Sequence, residues 1–140
     1  MQSKIRDLIK QVFIKKNNSE FASNQDLENY IMSFVDENEC KEGALIYLEE
    51  EIPYTFFKKV KEINIESFEE NDLKKLRENI HNLKFKNAII LIEGQPNLEL
   101  NDVVFALPID EENAEKVFFA IKVNSKLKNT MKITLIYSEV

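Results

Sequence analysis

The chain has 140 residues, 25 acidic and 19 basic, for a formal charge of −6, and it is 44% hydrophobic and 31% charged. This size and balance predict one globular domain, 1–140, with a core that needs no staple, and they exclude a disordered tail. The acidity argues against a general nucleic-acid binder, because phosphate affinity rests on cations that displace counterions. The lone cysteine, Cys40, excludes an internal disulfide.

Lys4, Arg6, Asp7 and Lys10 interrupt any secretory apolar core, and no stretch approaches the roughly 20 apolar residues of a membrane span. The expected location is the cytoplasm, with no membrane partner. Charge is unevenly spread. Residues 1–16 hold five cations and one acid, whereas residues 17–56 hold one cation and ten acids. An acidic region of that kind attracts basic partners and speeds encounter with them.

Ile5, Leu8, Ile9, Val12 and Phe13 form one stripe of an amphipathic helix over residues 2–16. Leu27, Tyr30, Ile31, Phe34 and Val35 repeat the spacing over 24–36, with Ser23 as N-cap and Asp26 as its capping-box partner. A strand is expected at 44–48, entered through Gly43. Residues 52–65 suit either a helix opened by Pro53 or a strand, and the aromatics favour an extended segment. Ser67 and Glu70 fit a capping box ahead of a helix over 68–83.

The longest uncharged apolar run, Ala88 to Ile92, reads as a central strand over 87–93, stopped by Gly94 and Pro96. Gly94 suits a turn that needs a positive φ. A second strand is expected at 101–107, antiparallel to the first because the connection is short. Asp110 begins an acidic helix start, with Ala114, Val117, Phe118 and Ile121 on one face. A last strand is expected over 131–137. The sum is an α+β domain: a mostly antiparallel or mixed sheet of about four to five strands covered by about four helices.

The common catalytic sets fail in turn. One His and one Cys cannot make a tetrahedral zinc site, and Asp36-x-Asn38 departs from a calcium loop at Cys40, Lys41 and Tyr47. Gly43 and Gly94 each stand alone, so no phosphate loop is present. His81 and Cys40 have no setting that would activate a nucleophile. Phe56-Phe57-Lys58-Lys59 resembles a single-strand stacking platform only if the rings are exposed. No enzyme, cofactor or metal is therefore expected.

The remaining expectation is a non-catalytic domain that occupies a protein partner, most sharply an acidic inhibitor or immunity-type protein that neutralises a basic partner such as a nuclease toxin. Its contact residues would be Asp36, Glu37, Glu39, Glu42, Tyr47, Glu49, Glu50, Glu51 and Tyr54, with charge for the on-rate and tyrosines as anchors. One alternative is a small enzyme or ligand-binding domain using Glu93, Asp102 and Asp110 at the sheet end. A second is an accessory or oligomerisation domain that pairs through a sheet edge.

Overall fold

The computed structural model describes residues 2–35, 44–107 and 116–138, with backbone only at 44 and 45. In chain order the described elements are α1 (Gln2–Gln11), β1 (Phe13–Asn18), α2 (Asn24–Val35), β2 (Ala44–Ile46), α3 (Glu51–Lys59), β3 (Glu62–Glu70), α4 (Leu73–His81), β4 (Asn87–Gly94), α5 (Leu100–Ala106), β5 (Lys116–Val123) and β6 (Met131–Ser138). The strands form one mixed sheet in the order β1-β3-β6-β4-β5-β2. β1 with β3 and β4 with β5 are parallel; the other neighbours are antiparallel.

The fold class is the expected α+β arrangement, with six strands and five helices among the described residues. β4 lies inside the sheet, and Ala88 through Ile92 have no accessible surface. Strand geometry sends alternate side chains to opposite faces. Ile89 and Leu91 enter a cluster with Ile5 and Ile9 of α1, Leu27, Ile31 and Phe34 of α2, and Phe56 and Phe57 of α3. Ala88, Ile90 and Ile92 enter the other cluster, with Leu76 and Ile80 of α4 and Val103 and Ala106 of α5. The sheet is therefore covered on both faces, which is why β4 lacks the usual polar alternation.

Several elements depart from expectation. The first helix stops at Gln11, and Phe13–Asn18 becomes an edge strand, where Lys15 and Lys16 sit in water. Residues 51–59 are helical: Pro53, in the first turn, lacks an N–H that would have no helical partner there, and Phe56 and Phe57 both reach the core. The Ser67–Glu70 capping box is unused because those residues finish β3. Asp72 caps α4 instead, accepting from the Lys74 and Lys75 amides at 3.0 and 3.4 Å. The Ser23 cap of α2 is present, with the Asp26 amide donating to Ser23 Oγ at 3.3 Å.

Two expectations near the sheet centre are reversed. Residues 101–107 belong to helix α5, and Asp102 accepts from the Glu99 amide at 3.3 Å to close its first turn. The expected helix around Val117, Phe118 and Ile121 is strand β5. Together they turn an expected hairpin into a crossover from β4 through α5 to a parallel β5, long enough for the dozen or more residues such a link requires. Gly94 has no positive φ. It is required because a Cβ there would lie 2.9 Å from Leu98 Cβ and Cγ.

Candidate functional site

Glu93, Lys122 and Lys132 stand abreast across the end of β5, β4 and β6, since Glu93 pairs in register with both lysines. They share a face with Ile89 and Leu91, beneath α2. Tyr30 of α2 donates its phenol proton to Glu93 Oε2 at 2.5 Å, and Asn124 donates to Oε1 at 3.0 Å. Lys122 donates to Ser33 Oγ at 2.7 Å and lies 4.3 Å from the Phe34 ring centroid. Lys132 is paired with Glu20. Burial, and then the neighbouring Glu93 charge and hydrogen bond, raise the Tyr30 pKa well above its ordinary value. The phenol thus remains a donor. Glu93 is 6% exposed with both oxygens occupied, so this group fastens α2 to the sheet and presents no free acid or base to a substrate.

The sheet-end constellation proposed from sequence is not assembled. Asp102 lies on α5, which packs on the other face, and is engaged in its own helix cap. Asp110 lies outside the described residues, as do Asp36, Glu37, Glu39, Glu42 and Cys40. His81 is exposed at the end of α4. Phe56 and Phe57 are buried, which removes the stacking platform. Among the described residues no group of three or more His, Cys, Asp or Glu could hold a metal ion, and no helix is long and apolar enough to cross a membrane.

Of the expected acidic contact residues, Glu49, Glu50 and Glu51 are described, and they do not share one surface. Glu50 accepts from Gln2 of α1 at 3.1 Å. Glu49 and Glu51 instead line a cleft of about 420 Å³ together with three exposed lysines, Lys59, Lys86 and Lys116. Tyr47 is half-buried, and Tyr54 is packed against the core with Lys58 Nζ 5.4 Å from its ring centroid.

The cleft lies between α3 and the first residues of β4 and β5. Ile52, Phe56 and Val60 supply its apolar wall on the helix side, and Phe118 supplies it on the strand side. Among the described residues none of the three lysines has a carboxylate within ion-pair distance, as is also true of Lys4, Lys58 and Lys61. The cleft opens beside a strand edge. β2 pairs only with Ile121 and Lys122 of β5, so on the side away from β4 no described strand flanks Lys116–Ala120. Phe118 and Phe119, on opposite faces of that segment, are 37% and 42% exposed.

The other sheet edge is built differently. β1 carries Lys15 and Lys16 and a register shift between Ile14 and Lys16; Phe13, at its start, is its one strongly exposed aromatic. Lysines and bulges blunt an edge against further pairing; the β5 stretch carries one lysine, Lys116, at its start and neither feature along 117–120. Sequence reasoning missed this site because it placed Val117, Phe118 and Ile121 on a helix. The available signal was the Phe118-Phe119 pair followed by alternation through Ile121 and Val123.

No family model matches the chain, and no curated protein matches it by sequence. Solved structures do match. An FtsZ mutant from M. jannaschii superimposes with a TM-score of 0.54 at 15% identity, over 83% of this chain and 40% of that one. An empty FtsZ dimer from M. jannaschii gives a TM-score of 0.54 at 13% identity, over 97% of this chain and 43% of that one. The chain spans less than half the length of these FtsZ chains, and at such identities the likeness is one of fold alone.

Proposed function

We propose that the chain is a non-catalytic interaction domain, acting in the cytoplasm, that takes an extended segment of a partner protein along the outer edge of β5. The observation that carries this reading is the stretch Lys116–Ala120, which pairs with β4 on one side, has no strand on the other among the described residues, and carries an exposed phenylalanine on each face. Main-chain pairing to an open edge supplies affinity, and side-chain pockets beside it supply selectivity. An accessory role within a larger assembly is the form of the second alternative that this edge favours.

The acidic-inhibitor version has less behind it. It needs a continuous acidic face, and Glu49 and Glu51 share their cleft with three lysines. Catalysis by Glu93 is opposed by the two donors that occupy its oxygens. The test is capture of a partner from host lysate with the wild-type chain and with Phe119→Lys, followed by amide exchange on the complex rebuilt from the purified partner. Loss of capture by the variant and slowed exchange at Lys116–Ala120 in the complex are expected. Equal capture, or unchanged exchange at those amides, overturns the reading. A basic nuclease whose binding is lost on Glu49→Lys would restore the inhibitor version in its place.

A further inference from the structure

We infer that the cleft beside β5 selects a partner segment of the pattern apolar-x-acidic, an inference that rests on the strand-edge reading above. Lys116 and Phe118 are two residues apart on β5 and both line the cleft, so they stand on one face about 7 Å apart. A strand laid against β5 presents its own alternate residues to that same face. One of them falls opposite Phe118, at the apolar wall made by Phe56 and Val60; the next falls opposite Lys116, beside Lys86 and Lys59.

Three exposed ammonium groups without carboxylate partners among the described residues favour an acid at that second position. β2 already runs antiparallel to β5 on this side of the sheet. A segment continuing along the edge in that direction meets Phe118 before Lys116, which fixes the order as apolar first and acidic two residues later. Glu49 and Glu51 line the same cleft and disfavour a second acid elsewhere on the segment's inner face. The site thus recognises one carboxylate at one place.

The test uses the full chain and two capped, fluorescein-labelled peptides of seven residues, Thr-Thr-Leu-Thr-Glu-Thr-Thr and its counterpart with Lys in place of Glu. Anisotropy titrations at low salt should favour the Glu peptide by about fivefold. The preference should shrink at high salt and invert in the Lys86→Glu, Lys116→Glu double variant, whose changes are confined to exposed side chains. Equal binding of both peptides with slowed exchange at Lys116–Ala120 would refute the acidic preference and leave the edge reading standing. Preference for the Lys peptide would refute it as well. No binding of either peptide at millimolar concentration, with exchange at those amides unchanged, would overturn both.

Discussion

Replacing Tyr30 with Phe removes one hydroxyl from the seam between α2 and the sheet. The phenol is one of two donors to the Glu93 carboxylate, at 2.5 Å, and Glu93 is 6% exposed. A hydrogen bond to a charged acceptor contributes about 1.5–3 kcal/mol, and leaving the acceptor short of a donor tends toward the upper part of that range. The Asn124 donor to Oε1 remains, so a loss of about 2 kcal/mol is expected. In urea this lowers the unfolding midpoint by roughly 1 M at a slope of about 2 kcal/mol per molar.

A double-mutant cycle isolates the bond. Glu93→Gln keeps an acceptor but removes its charge, so Tyr30→Phe in that background should cost only about 1 kcal/mol, the value of a neutral hydrogen bond. A single-variant loss below about 0.5 kcal/mol, the range of ordinary surface substitutions, would refute the reasoning. Equal losses in the two backgrounds would show that the charge of Glu93 contributes nothing to the bond.

Three further outcomes follow from the same geometry. Folding raises the Tyr30 pKa, through burial first and then Glu93, so the folded chain holds that proton more tightly than the unfolded one. Stability should therefore fall as pH rises above about 10, and fall less steeply in Tyr30→Phe, as read by urea midpoints at a series of alkaline pH values. Gly94→Ala would push a methyl group against Leu98 and should cost about 1–3 kcal/mol, with part recovered in the Gly94→Ala, Leu98→Ala double variant; equal losses would locate the strain elsewhere. Asp72→Ala should destabilise by about 1 kcal/mol through loss of the α4 cap, while Ser67→Ala should not act as a cap deletion; helix amide exchange over Leu73–His81 separates the two.

Local pattern was enough for the elements whose sequence admits one period. The run Ala88–Ile92 is β-branched, uncharged and too short for a buried helix, and it became the buried β4. The stripe of α2 and its Ser23 cap act within a dozen residues, and both are present. The alternation over 131–137 gave β6 with the expected limits to within a residue. Composition together with these elements sufficed for the fold class.

The chain around Val117, Phe118 and Ile121 satisfies both a helical and a strand period, and so does Val103-Val104-Phe105. Which period wins depends on the vacant position beside β4 and on the face that α5 must cover, both of which are set by residues distant in sequence. The same is true of the candidate site. Lys59, Lys86, Lys116 and Phe118 come from three separate parts of the chain and converge only when α3 lies over the first residues of β4 and β5. Residue type and spacing determined which segments would be buried. Pairing across the sheet decided which strand edge has no partner among the described residues, because hydrogen-bond partners in a sheet are chosen by neighbours in space.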